Sequence, residues 1–276
     1  MAKVAILTTT FYGNPEETRF KLAQEMVSEA LAAGYDVVVV NGAPNPAIAE
    51  GLDRLRPKCF VDEPKLLVLK QRAQGMGPGR RELFSVARDG HDELRADFTG
   101  VGHPEPRETP QIFLWTEPEK RGTAALVPQI VKPIEDDETD IVIVSRTPKS
   151  TETYPRFQQA SEAIADRVYM EITGLSGGPM HGPVAFSQRV AHYFAECDPK
   201  AQGFPELEDT YLQHYAPFFA RFDGVRVMSV QVDFVYPPEQ RAEEEGPKAM
   251  EMAEKRLWQA DTLTRAYFVL GKRLGL

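Results

Sequence analysis

The sequence predicts an α/β protein: a mainly parallel central sheet flanked by helices, with a C-terminal helical extension. Three observations predict it. Short, wholly apolar runs recur at residues 4–7, 37–40, 112–115 and 141–144, continuous rather than alternating, as in strands covered on both faces. A helical pattern separates the first two runs and another separates the last two. After Pro237 and Pro238 the chain turns acidic and then amphipathic to its end.

Each element follows from local chemistry. Asn14 can cap a helix whose first position is Pro15, Glu16 and Glu17 suit its positive end, and Gly34 supplies a left-handed stop. Between them Phe20, Ala23, Val27, Ala30 and Leu31 fall on one face. Strand, helix and strand make a βαβ unit with a right-handed crossover, which brings both strand ends to one edge of the sheet. A second such unit is expected from 112–115, a helix over 122–131, and 141–144. Between the two units lie a glycine-rich segment at 75–79, a charged helical stretch from Arg80 to about Arg95, and a Pro- and Gly-rich loop at 100–110, expected as a mobile insertion. Further on, 156–172 and 207–222 read as amphipathic helices and 225–235 as a strand. Met250, Leu257, Trp258, Leu263, Tyr267, Phe268 and Leu270 are expected to bury on the body or in a dimer contact. The domain reading is 1–236 for the α/β body and 237–276 for the extension.

Composition removes several classes of function. With 42% hydrophobic and 26% charged residues the chain is neither disordered nor fibrous. A net charge of -9, with lysines and arginines scattered, argues against nucleic acid as a partner. Cys59 and Cys197 match no metal spacing and suit free thiols in a reducing compartment, one long-range disulfide being the alternative. No secretory signal opens the sequence, and no apolar run approaches the roughly 20 residues a membrane span needs. The expectation is a cytoplasmic protein whose membrane contact is at most peripheral.

In an open parallel sheet, ligands settle beyond the carboxyl ends of the strands. The polar residues expected there are Thr8, Thr9 and Thr10, then Asn41 and Gly42, then Thr116 with Glu117 and Glu119, then Ser145 and Arg146. Gly75, Gly77, Gly79, Arg80 and Arg81 combine backbone freedom, guanidinium groups and a helix start, the ingredients for holding a diphosphate. The same composition fits a surface loop with solvated arginines. Glu117 and Glu119 flank Pro118 and can share a hard divalent cation, Mg²⁺ or Mn²⁺; a charged turn running into Lys120 and Arg121 is the plainer reading. His181, in a glycine-rich turn, fits either a third ligand or a structural histidine, and His192 and His214 fit packing roles within helices.

The order of these segments resembles A-type glycosyltransferases, especially family-2-like and glycosylglycerate-synthase-like enzymes, over roughly residues 3–236. The segments are an apolar strand, a threonine-rich turn, Val-Val-Val-Val-Asn, a glycine-rich loop with arginine, an apolar strand ending in acids, and Ile-Val-Ile-Val-Ser-Arg. The resemblance implies a Rossmann-like fold and transfer of a sugar from a UDP- or GDP-linked donor to a small or lipid-linked acceptor. It places Glu117 and Glu119 at the metal-binding Asp-x-Asp position, Arg146 and the segment beginning at Gly182 on the acceptor side, and Glu208 or Asp209 as the base. Acids at a helix start also serve the helix dipole. The chain departs from the pattern in carrying Asn41-Gly42-Ala43 where aspartates are usual and glutamates at the metal position. Two competing readings keep the sheet: a nucleotidyltransferase, and a nucleotide-binding protein without turnover.

Overall fold

A computed structural model describes residues 3–57, 64–90 and 110–276; Cys59, the 100–109 part of the expected insertion and the end of the charged stretch lie outside these residues. The sheet has seven strands in the order β3-β2-β1-β4-β6-β5-β7. In chain order these are β1 (Val4–Thr10), β2 (Asp36–Asn41), β3 (Leu66–Lys70), β4 (Ile112–Trp115), β5 (Ile141–Arg146), β6 (Val184–Ser187) and β7 (Val227–Val232). The chain divides into two compact units, Met1–Val127 with Phe186–Glu196, and Pro128–Ala185 with Cys197–Leu276. The C-terminal segment clusters with the second unit.

In the first unit, β1 pairs in parallel with β2 on one side and β4 on the other, and β2 pairs in parallel with β3. The valines of β2 are at most 1% exposed, as continuous apolar strands in a covered sheet should be. Helix α1 (Thr18–Ala32) connects β1 to β2 and buries Phe20, Ala23, Val27, Ala30 and Leu31, the predicted face. It begins later than Asn14 suggests. The Asn14 side chain accepts from Glu16 N at 2.9 Å, and the Glu17 carboxylate accepts from Asn14 N at 2.9 Å, so a separate turn precedes the helix. Pro15 is therefore outside it. Gly34 has φ +88°, the left-handed stop expected of it.

Several elements escaped the sequence reading, among them β6, one helix and β3. Helix α2 (Pro46–Asp53) carries its own start signal: Asn45 accepts from Ala47 N at 3.0 Å and Pro46 occupies the first turn. Strand β3 is a four-residue apolar run between lysines. Two readings need correction. β1 continues through Thr8, Thr9 and Thr10, so the threonines form strand rather than a turn, in keeping with β-branched preference. The glycine-rich segment is mostly helical, because α3 (Met76–Asp89) starts directly after Gly75.

In the second unit, β5 and β7 pair in parallel. Helix α4 (Thr123–Glu135), which starts in the first unit, precedes β5, and a single turn, α5 (Pro148–Thr151), follows it. The long helices are α6 (Arg156–Thr173) and α10 (Ala249–Leu274), which pack on one another. Between them in sequence come α7 (Ala191–Ala195, in the first unit), α8 (Leu212–Phe222) and α9 (Pro238–Glu245). Leu263, Tyr267 and Leu270 of α10 are buried as expected, and His214 packs with its Nδ1 2.9 Å from the Tyr267 hydroxyl. Met250, Leu257, Trp258 and Phe268 are more than half exposed instead, because α10 turns only one face inward. His192 is also exposed, so it fills no core. Cys197 is buried, its Sγ 3.8 Å from the Leu212 carbonyl oxygen. Among the described residues, no helix is long and apolar enough to cross a membrane.

Candidate nucleotide and metal site

The first unit contains the point at which strand order reverses. β1 leads by way of α1 to β2 on one side, whereas β4 lies on its other side, so the carboxyl ends of β1 and β4 are the switch point at which open parallel sheets take their ligands. The strand-end residues are tied together there. Thr8 donates its hydroxyl hydrogen to the Thr116 carbonyl at 2.9 Å, and Thr10 donates to Asn41 Oδ1 at 3.0 Å. Asn41 Oδ1 also accepts from Ala43 N at 3.0 Å. With Thr8, Thr9 and Thr10 at 5% exposure or less, these side chains shape the floor rather than face a ligand. The expectation that the threonines themselves would hold nucleotide gives way to a positioning role.

The turn before α3 is built by two residues the sequence reading passed over. Glu82 accepts from Arg72 N at 2.9 Å and Ala73 N at 2.8 Å, and Gln71 donates its amide hydrogens to the carbonyls of Ala73 and Gly75, the latter at 2.7 Å. These bonds fix the amide orientation, so Gln71 Oε1 is a buried acceptor with no hydrogen-bond partner. Glycine is required around it: a Cβ on Gly79 would come within 2.6 Å of Gln71 Oε1, and one on Gly42 within 2.3 Å. Gly75 is exposed at the helix start, whereas Gly77 and Gly79 are buried inside α3.

Arg80 and Arg81, expected to hold a diphosphate together, differ in burial. Arg80 is 6% exposed, with its guanidinium 4.9 Å from the centroid of the Trp115 ring at the end of β4. Arg81 is half-buried. The Arg80 contact brings the first turns of α3 against the residue two places before Glu117.

Glu117 and Glu119 also part company. Glu119 is 5% exposed and ion-paired with Arg19 of α1, beside the buried Tyr12 phenol, whose pKa is pushed up by burial and then by the Glu119 charge. Glu117 is only half-buried, yet its Oε2 is a buried oxygen with no hydrogen-bond partner, in a long ion pair of 3.7 Å with Lys120 Nζ. A divalent ion needs negative oxygens free to face it. Glu117 fits that requirement; Glu119, committed to Arg19, does not.

His181 does not fit either. It is 2% exposed, its Nδ1 lies 3.0 Å from the Tyr154 hydroxyl, and its ring packs against Phe234. Among the described residues no group of three or more His, Cys, Asp or Glu could hold a metal by itself. A bound ion would therefore draw most of its ligands from elsewhere, which is ordinary for Mg²⁺ and Mn²⁺ held through phosphates.

The second unit holds the remaining sequence candidates. Arg146, at the end of β5, has a side chain 5% exposed, ion-paired with Glu162 at 2.5 Å and stacked 4.2 Å from the Tyr154 ring centroid. It is a buried structural cation here, not a surface hand for an acceptor. Gly182 ends a short 3-10 turn, Pro179–His181, with φ +107°. Glu208 is exposed and precedes the 3-10 turn Asp209–Tyr211 that leads into α8; Asp209 is half-buried. Asp166, which the sequence reading also missed, accepts from Met180 N at 2.8 Å and has its carboxyl pushed up to about 7 by burial.

No protein-family model matches the chain, and no curated protein does. Solved structures do. Glucosyl-3-phosphoglycerate synthase from M. tuberculosis superposes with a TM-score of 0.50 at 12% identity, covering 94% of this chain and 80% of that one. A mannosyltransferase from Pyrobaculum calidifontis, solved with GDP-Man and Mn²⁺, superposes with a TM-score of 0.50 at 12% identity, covering 99% of this chain and 74% of that one. At such identity the likeness speaks to fold alone, and it agrees with the strand order found here. The chain has the fold of the A-type nucleotide-sugar glycosyltransferases.

Proposed function

We propose that the protein is a glycosyltransferase that takes its sugar from a nucleoside diphosphate donor bound at the carboxyl ends of β1, β2, β3 and β4. The observation that carries this reading is Glu117 Oε2, a buried carboxylate oxygen without a hydrogen-bond partner at the strand-order reversal. Leaving a buried charged oxygen without a hydrogen bond, with only the 3.7 Å ion pair to Lys120 on it, is costly, and such atoms mark places where a ligand or ion completes the bonding. Gln71 Oε1 is a second such acceptor beside β2 and α3, suited to an N–H or hydroxyl of the nucleoside.

In this reading Glu117 is the one protein carboxylate that holds Mg²⁺ or Mn²⁺. When bound, the ion would neutralise charge on the departing diphosphate, the largest electrostatic need of the transfer. Glu119 holds Arg19, and through it the first turn of α1, beside that position. Arg80 anchors α3 on β4, and the backbone at Gly75 is the part of the segment left exposed toward phosphate. For the acceptor, the proposed bases remain Glu208 and Asp209, of which Glu208 is exposed enough to accept a proton from a hydroxyl.

Thermal stability measured with UDP, GDP and their sugars, with and without Mn²⁺, tests the donor, because a ligand that binds only the folded state raises the melting temperature. Release of free nucleotide in the presence of sugar acceptors tests the transfer. A nucleotide-dependent shift with turnover is expected. A shift without turnover across an acceptor panel would make the protein a nucleotide binder, and no shift with any nucleotide would end the reading.

A further inference from the structure

The second unit contains a cavity of about 280 Å³ between the start of α6, the end of α9 and the first turns of α10. Its volume is near the low end for small-molecule sites. Part of the wall is apolar: Phe157, Met252 and Ala253. The polar part includes Gln158 and Arg256 beside Arg156, Glu244 and Glu245.

The Gln158 and Arg256 side chains converge on one atom. Gln158 Nε2 donates to Glu162 Oε1 at 2.8 Å, and Arg256 Nη1 lies 3.6 Å from the same oxygen. The amide nitrogen must face that carboxylate, which settles the identity of the other atom as Oε1. Gln158 Oε1 and Arg256 Nε are both buried with no hydrogen-bond partner. One is an acceptor and the other a donor, carried on neighbouring groups. A hydroxyl satisfies both at once, accepting from Arg256 and donating to Gln158. A carboxylate or phosphate cannot, since it would set negative oxygen against the Gln158 acceptor.

The charges around the cavity point the same way. Arg156 and Arg256 are matched by Glu244 and Glu245, so the lining is formally neutral. Both carboxylates are already engaged. Glu244 accepts from the Tyr236 hydroxyl at 2.8 Å and Gln240 at 3.0 Å; Glu245 accepts from Arg156 N at 3.1 Å and Arg241 at 3.0 Å. No net field favours an ion. The Phe157 ring, 46% exposed, offers an apolar face against which the C–H face of a sugar ring can lie.

We infer that this cavity, lined wholly by residues of the second unit, is a binding site for a neutral polyhydroxylated molecule of monosaccharide size. The inference does not depend on the proposed transfer reaction. The test is saturation-transfer NMR and calorimetry on the full chain with glucose, mannose and glycerol, with glucose 6-phosphate as the anionic control. Saturable binding of a neutral sugar is expected, with Kd on the order of 1 mM and at least about tenfold tighter than the phosphate ester. Met252→Trp, or Ala253→Phe should the first variant lose its fold by circular dichroism, is expected to weaken that binding at least about tenfold without changing any nucleotide shift. Three results would each overturn the inference: no saturable binding of any neutral sugar, binding unaffected by a folded cavity-filling variant, or preference for the anion.

Discussion

Each unit contains a carboxylate–arginine pair, and the two pairs differ in how much water they see. In the second unit Arg146 and Glu162 have side chains 5% and 2% exposed, with Gln158 and Arg256 adding further bonds to the same carboxylate. In the first, Glu119 is buried but Arg19 is 42% exposed. The Arg146–Glu162 pair fixes a helix to a strand end with both partners out of water; in the Glu119–Arg19 pair only the carboxylate is buried, and the guanidinium stays partly open to solvent.

The contrast can be broken most forcefully at Glu162. Glu162→Ala strands a buried guanidinium, and urea unfolding should show a loss of about 3–5 kcal/mol. Asp166 sharpens it through pH. Its folded pKa, raised to about 7 by burial, exceeds the usual carboxylate value, so the proton binds the folded state more tightly. Its contribution is fully present below about pH 4 and disappears as pH rises through 7, on the order of 4 kcal/mol in total. Asp166→Asn keeps an acceptor for Met180 N and cannot titrate. Melting curves from pH 5 to 8 should flatten, with the variant more stable than wild type at pH 8. If Arg146 and the Met180 N–H instead hold Asp166 ionised throughout, the two proteins will show the same slope.

Smaller effects belong to the first unit. Gln71→Met removes the acceptor beside Gly42 and Gly79, and nucleotide affinity by calorimetry should fall roughly tenfold. Glu119→Gln should cost only about 1 kcal/mol of stability, because its partner's side chain keeps 42% of its surface exposed. A loss as large as that at Glu162 would mean the two pairs are alike and the contrast is empty.

Much of the fold was readable in the sequence because continuous apolar runs and helix stop signals are local. Ile112–Trp115 and Arg156–Thr173 fall where periodicity puts them to within a residue. β3 was missed although its run resembles the others, and α2 although Asn45-Pro46 announces it. The site was harder for a physical reason. Sequence shows that Glu117 and Glu119 are neighbours, but whether each carboxylate is free depends on Arg19, about a hundred positions away, and no spacing rule reports that. Likewise Arg80 reads as a phosphate ligand until Trp115 is seen beneath it, and His181 as a metal ligand until Tyr154 is seen beside it. Partners distant in sequence decide which polar group is left to act.

The central claim is that Glu117, and not Glu119, presents the carboxylate that a nucleotide-bound metal would meet. Electron paramagnetic resonance of Mn²⁺ with the protein and UDP or GDP measures it directly. Wild type and Glu119→Gln should both form the ternary complex, and Glu117→Gln should weaken it at least about tenfold. Retention of the complex in Glu117→Gln with loss in Glu119→Gln would contradict the account.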